Sequence, residues 1–300
     1  TYELCLGILS GNNGSYNLSG GTNTVTYDLY LGYNSGGNGS YNLSGTGSLS
    51  AGYEYIGNSG TGAFTQSGGT NTISNYLYLG YGSGSNGSYN LSGTGSLSAA
   101  FEYIGRFGTG AFTQSGGTHT VGTLIINNGA YTLSGGTLTV GISMDNGGVF
   151  NLAGGTLTGG GALANNGLFS GFGTIAGGGG GGGGGFINNG LLTQSGGNLT
   201  LANSGANANY GNMDLAGGCQ LKLSGATLNN SGTVNLNGAL VTGTGTLANN
   251  IGGNIVGRGS ITSNFSNAGN LAVAGGTLNI SKPFTNSGAI QLTGAGSTLA

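Results

Sequence analysis

The heptapeptide Gly14-Ser15-Tyr16-Asn17-Leu18-Ser19-Gly20 returns unchanged at Gly39–Gly45 and again at Gly87–Gly93. A second string, Gly-Thr-Gly-Ala-Phe-Thr-Gln-Ser-Gly-Gly-Thr, stands at Gly60–Thr70 and again at Gly108–Thr118. A third, Leu-Tyr-Leu-Gly-Tyr, stands at Leu29–Tyr33 and Leu77–Tyr81 with the same offset. The repeating block splits into two related halves of the form Gly-x-aromatic-x-Leu/Gln-Ser-Gly. Taking the aromatic of each half as a marker gives Tyr16, Tyr41, Phe64, Tyr89, Phe112, Tyr131, Phe150 and Phe169. Neighbouring markers are roughly 23–25 residues apart as far as Phe112 and roughly 19 apart after it, within the range of solenoid repeats. The series continues through Leu192, Met213, Val234, Ile255, Leu271 and Ile290, with a mean period of about 21 residues.

A period near 20 built from three short strand-like pieces and glycine corners is the pattern of a β-solenoid. One coil reads Tyr131-Thr132-Leu133, a Gly135-Gly136 corner, Thr137-Leu138-Thr139-Val140, then a third strand. Strand alternation turns Tyr131, Leu133, Leu138 and Val140 inward and the Thr residues between them outward. A leucine-rich repeat shares the period, but Gly, Ser, Thr and Asn are weak helix formers and leave no helical half. The expectation is an all-β chain, a single parallel β-solenoid (β-helix) of about 14 coils and roughly 65–70 Å in length. Asparagines recur at one corner, as in Asn128-Gly129, Asn146-Gly147, Asn166-Gly167, Asn189-Gly190, Asn203-Ser204-Gly205 and Asn286-Ser287-Gly288. Such residues can stack from coil to coil through amide hydrogen bonds, or serve only as residues that tolerate left-handed turns.

Composition removes most other classes. Glycine supplies 74 of 300 residues and charged residues only 3%, with a net charge of −2. A basic nucleic-acid groove needs far more Lys and Arg, and acid–base catalysis needs convergent titratable groups. Collagen would need a three-residue glycine period and more proline than Pro283 alone. A disordered chain would not place its apolar residues in alternating groups between Gly and Asn corners. The run Gly177–Gly185 has no side chains to pack and reads as a loop or bulge. No stretch reaches the ~18 apolar residues of a membrane span. Cys5 and Cys219 read as small buried apolar residues, not as a disulfide. Metal-ligand spacings, the calcium-binding Gly-Gly-x-Gly-x-Asp repeat and phosphate-loop signatures are absent. No cofactor is expected, and the chain does not read as an enzyme.

The pattern changes near residue 120. Residues 1–120 hold 13 of the 15 tyrosines. Coils there run to roughly 23–25 residues, and those of residues 121–300 to roughly 19–21. We read one continuous domain with a wide and a narrow section. The long coils carry an extra segment before a glycine: Asp28–Gly32, Tyr53–Gly57, Tyr76–Gly80 and Phe101–Gly105. Alignment on that glycine gives an inward column Leu31, Ile56, Leu79 and Ile104. Tyr30, Tyr55, Tyr78 and Tyr103, joined by Tyr53, Tyr76 and Phe101, fall on the other face as an exposed aromatic stripe at ~4.8 Å intervals. Flat amphipathic rings suit sugars or another chain, or they stack on one another and serve only the sheet. Alternation would turn Glu54 and Glu102 inward beside Leu29 and Leu77, which is costly for a carboxylate. Either they sit at a strand edge or the faces are reversed. His119, where sister coils have Asn23 and Asn71, reads as a surface substitution. Asp145 and Asp214 have no second carboxylate near them in the repeat frame.

The Gly-Gly-Thr-Leu-Thr and Asn-x-Gly-x-Leu units at Gly135–Val140, Gly154–Thr158 and Asn267–Ile280 resemble repeats in passengers of bacterial autotransporters and large secreted adhesins. Ser266–Ala300 is especially similar in texture, whereas the first 120 residues depart from it. The resemblance implies a right-handed β-solenoid, secreted or exposed on a bacterial surface, and carries over no catalytic residue. The functional expectation is an extracellular structural protein, a surface fibre or adhesin stalk contributing to attachment or biofilm matrix. Self-association, head-to-tail or lateral, is the expected partnership if the chain is a whole protomer, since it starts and ends mid-repeat and uncapped sheet edges invite a partner; if it is cut from a longer chain, those ends carry no meaning. Neither nucleic acid nor membrane insertion is expected. The alternative is a carbohydrate-binding surface along the tyrosine stripe. Ice binding through Thr-x-Thr arrays such as Thr22–Thr24 and Thr70–Thr72 ranks lower, because Ser48-Leu49-Ser50 and Ser96-Leu97-Ser98 interrupt them.

Overall fold

The computed structural model describes residues 1–177 and 184–300. Most of the glycine run, residues 178–183, therefore lies outside the described residues. Gly177 ends a strand and Gly184 and Gly185 lead into the next. The described residues form strands and turns without a helix. Two compact units arise, Thr1–Leu157 and Thr158–Ala300. Between them they contain about 14 solenoid turns with a ~21-residue period, the strands pairing in parallel.

In the first unit a coil consists of a six-residue strand such as Asn38–Leu43 and a longer one such as Ser48–Ile56. The longer strand bends where its register shifts, between Ala51 and Glu54 on pairing with the next coil. That bend yields the three faces anticipated from the repeat. Markers lie directly on one another: Tyr16 on Tyr41, Tyr41 on Phe64, Phe64 on Tyr89, Tyr89 on Phe112 and Phe112 on Tyr131. Their rings, with Phe150 after Tyr131, form an unbroken stack of seven with centroids 4.6–5.3 Å apart and planes 2–18° from parallel. From Tyr41 onward these rings are completely buried or nearly so. Burial of each aromatic contributes about 1.5–3 kcal/mol, and stacking adds about 0.5–1.5 kcal/mol per pair.

In the long coils the corner after the third strand, at Gly32, Gly57, Gly80 and Gly105, must be glycine. Gly80 has φ +69°, and a Cβ there would lie 2.3 Å from the carbonyl oxygen of Thr109 on the next coil. Both the left-handed backbone and the approach of the neighbouring coil exclude a side chain.

The second unit keeps the register with aliphatic markers. Phe169 lies on Leu192, then Met213, Val234, Ile255, Leu271 and Ile290 follow in turn. Its distinctive element is an inner column of asparagines. Asn165, Asn188, Asn209, Asn230, Asn249 and Asn267 each donate Nδ2–H to the Oδ1 of the next, ending on Asn286, at 2.6–2.8 Å. Each also donates to a backbone carbonyl of the following coil, Asn209 for example to Thr233. Asn286 belongs to this column as expected. At two other corners the buried asparagine is the residue before the one anticipated: Asn166 and Asn189 are outside it and bond to each other at 2.8 Å. Parity explains the shift, since Leu163 and Asn165 share the inward face and Asn166 follows after the strand ends. Cys219 is buried as expected, whereas Cys5 is only half-buried, and both are free thiols.

The column predicts an asymmetry between neighbouring asparagines. Asn209→Leu removes an acceptor from Asn188 and a donor from Asn230 and Thr233, and should cost about 2–4 kcal/mol in urea unfolding. Asn189→Ala, on the outside, should stay within about 0.5 kcal/mol. Equal losses would show that the amide column does not support the fold.

Candidate functional site: an aromatic face over a buried polar network

All seven residues of the anticipated stripe lie on one face of the first unit. Tyr30, Tyr55, Tyr78 and Tyr103 pair in register, as do Tyr76 and Phe101. The first column stacks at 4.8, 5.1 and 5.5 Å with planes 16–25° apart. Tyr53 and Tyr76 stack at 5.8 Å, and Tyr76 and Phe101 at 4.8 Å. The stripe is half-buried, and Tyr78 is only 6% exposed. Ring faces are turned along the coil axis toward one another, so the surface presents edges and hydroxyls. Burial pushes the Tyr55 hydroxyl up to about 12, helped by the charge of Asp28. Tyr30 is raised further by burial and by Asp28, whose Oδ2 accepts its hydroxyl at 3.1 Å.

Residues missed in the sequence complete this face. Tyr33 stands edge-on to Tyr30 at 4.8 Å and 79°. Tyr81 stands edge-on to Tyr55 and Tyr78, at 5.1 Å and 5.0 Å. The Arg106 guanidinium carbon lies 5.1–5.6 Å from the ring centroids of Tyr78, Tyr81, Tyr103 and Phe107, and Nη1 donates to the Tyr78 hydroxyl at 3.3 Å. The period-two rule does not extend past a left-handed corner glycine, which hid these positions. The recurrence of Leu-Tyr-Leu-Gly-Tyr was the available signal.

Beneath the face lies a polar network inside the core. Glu54 and Glu102 are fully buried. They face inward in the column Leu29, Glu54, Leu77, Glu102, Leu124, so strict alternation holds and neither the strand-edge nor the reversed-face explanation does. His119 is also fully buried, which corrects its reading as a surface residue. It occupies an inward column with Asn23, Leu49, Asn71, Leu97 and Leu138. The apolar members of that column were the overlooked signal.

Two equivalent clusters result. Asn71 Nδ2 donates to Glu54 Oε2 at 3.2 Å and to the Tyr89 hydroxyl at 3.3 Å, and Tyr89 donates to Gln66 Oε1 at 2.6 Å. Two coils on, the Tyr131 hydroxyl donates to Gln114 Oε1 at 2.6 Å and lies 3.0 Å from His119 Nδ1. His119 Nε2 lies 3.1 Å from Glu102 Oε2 without hydrogen-bond alignment. Burial pushes the Glu54 carboxyl up to about 8, with the Asn71 bond acting in the opposite direction. Desolvation likewise raises the Tyr89 and Tyr131 hydroxyls well above the usual phenol range.

The outward Thr and Ser residues form two unbroken hydroxyl columns. Thr22, Ser48, Thr70, Ser96, Thr118 and Thr137 pair in series, as do Thr24, Ser50, Thr72, Ser98, Thr120 and Thr139. Serine replaces threonine at alternate coils, at Ser48 and Ser50 and at Ser96 and Ser98, so the Thr-x-Thr array is interrupted while the hydroxyl register continues. Asp214 is held by Asn235 through a short hydrogen bond at 2.5 Å. Among the described residues no group of three His, Cys, Asp or Glu side chains is placed to hold a metal ion.

These features define a β-solenoid repeat protein. No family model, curated protein or solved structure matches the chain.

The buried network makes stability depend on pH and on the pairing at His119. Glu54 ionises near its ordinary 4.5 when unfolded but at about 8 when folded. Its contribution to stability is thus complete below 4.5 and is lost as pH rises through 8, at about 1.4 kcal/mol for each pH unit between the two values. Glu54→Gln should remove that decline, so that the difference in melting temperature between variant and parent grows from pH 5 to pH 9. Parallel curves would contradict it. His119→Asn, which copies Asn71, should cost less than about 1 kcal/mol, whereas His119→Leu removes the buried polar contact with Tyr131 and should cost about 1–3 kcal/mol. Denaturant melts at pH 7 decide between these outcomes.

Proposed function

We propose that the chain is a structural β-solenoid, the stalk or fibre-forming part of an extracellular protein, with a bacterial cell surface as its setting. The observation that carries this reading is the in-register stacking of like side chains in each unit: seven rings in one and seven asparagines in the other. Such columns tie each coil to the next along the coil axis, which suits a load-bearing element. Low charge supports the same reading, because uncharged coils stack and associate without repulsion. The similarity of Gly135–Val140 and Asn267–Ile280 to autotransporter and adhesin repeats supports the extracellular setting. Carbohydrate binding along the tyrosine stripe draws less support, since the stacked rings leave few open faces for a sugar.

Electron microscopy of the purified full chain at working concentration tests the proposal. Filaments, or stiff elongated particles on which labelled antibodies decorate intact cells, are the expected result. Compact particles confined to the cell interior would overturn it.

A second reading rests on the two hydroxyl columns, whose strand spacing of ~4.8 Å makes a regular lattice suited to ordering water as an ice-binding face. Thermal hysteresis abolished by Thr72→Lys would establish it, and no hysteresis would dispose of it.

A further inference from the structure

The internal repeat supplies a comparison within the molecule. The two-coil repeat carries Tyr30 to Tyr78, Tyr33 to Tyr81, Tyr55 to Tyr103 and Asn58 to Arg106. In the later copy the aromatic corner is filled by the Arg106 guanidinium, within 5.6 Å of four rings. The earlier copy keeps three of the four rings, with Ser59 standing where Phe107 does. Tyr33 meets Tyr30 at 4.8 Å and 79°, against 5.0 Å and 72° for Tyr81 and Tyr78. Tyr30 stacks on Tyr55 at 4.8 Å, against 5.5 Å for Tyr78 on Tyr103. The cation is also missing: Asn58 is too short to reach over the rings, and its Nδ2 donates back to the Tyr33 carbonyl at 2.9 Å. The earlier corner also has what the later one lacks. Asp28 stands where the repeat places Tyr76, and it accepts the Tyr30 hydroxyl.

We propose that the corner formed by Tyr30, Tyr33 and Tyr55 binds the guanidinium of an arginine side chain on a partner protein. Electron-rich rings attract a cation placed over them. A planar guanidinium stacks on such rings and is more weakly hydrated than an ammonium. The Asp28 carboxylate lies on the same side and adds attraction for positive charge. Tyr33 is 36% exposed, so an arriving side chain reaches the corner at that ring, while Tyr55 is stacked between Tyr30 and Tyr78. The proposal goes beyond the structural reading and rests on the fold of the first unit alone, so either can fail without the other.

The test is NMR of the full chain with ring-labelled tyrosine, titrated with N-acetylarginine amide and, for comparison, N-acetyllysine amide. Saturable shifts at Tyr30, Tyr33 and Tyr55, stronger for the arginine compound, are expected. Asn58→Arg should fill the corner from within, as Arg106 does, and weaken binding by at least ~tenfold. Arg106→Asn should create a second responsive set at Tyr78, Tyr81 and Tyr103. Absence of saturable shifts in the parent chain, or equal binding by Asn58→Arg with its far-ultraviolet circular dichroism unchanged, would overturn the assignment.

Discussion

Parallel in-register stacking at one strand spacing governs the rest of this molecule. Each side chain lies on the residue at the same place in the coil before and beneath the residue at that place in the coil after. A residue type persists in a column only if it interacts well with itself or with its two neighbours. Rings, amides and aliphatic chains meet that condition by stacking, by hydrogen bonding in series and by close packing. Charges do not, because like charges about 4.8 Å apart repel. Columns of like charge are therefore disfavoured, and charged residues make up only 3% of the chain. Glu54 and Glu102 conform, since Leu77 separates them in their shared column.

The buried polar groups of the first unit show how the stack accommodates exceptions. The marker ring is tyrosine at 41, 89 and 131 and phenylalanine at 64 and 112. Each of those tyrosine hydroxyls meets an Asn or His from the coil before: Asn23 for Tyr41, Asn71 for Tyr89 and His119 for Tyr131. Gln66 and Gln114 accept from the latter two, and their Nε2 groups donate to backbone carbonyls of Ser96 and Thr137 at the next coil's corner. A carboxyl in such a place is held neutral more readily than charged, which explains the direction of the Glu54 shift. The aromatic face outside follows the same logic: Asp28 and Arg106, the charged groups of that face, are each engaged by tyrosine.

Much of this was legible from period and parity. The marker series from Tyr16 to Ile290 pairs residue by residue within each unit, and the inward or outward sense of Leu31, Ile56, Leu79 and Ile104 follows from alternation. The polar core was not legible, because a buried Glu, Asn or His looks unfavourable until the partners that satisfy it are known. Those partners lie 17, 18 and 12 residues away, as in Asn71 with Glu54, Asn71 with Tyr89 and His119 with Tyr131. No local rule connects them.

The order of amino acids sets the coil: its length, its three faces, its glycine corners and the columns of like residues that stacking produces. These are properties of a repeat, and a repeat is written in one dimension. Which polar residues are buried together, and which corner residues reach over the aromatic columns, was settled in three dimensions. Those outcomes depend on how the bend within the long strand and the left-handed glycines set side-chain direction between neighbouring coils. Period alone does not encode that direction.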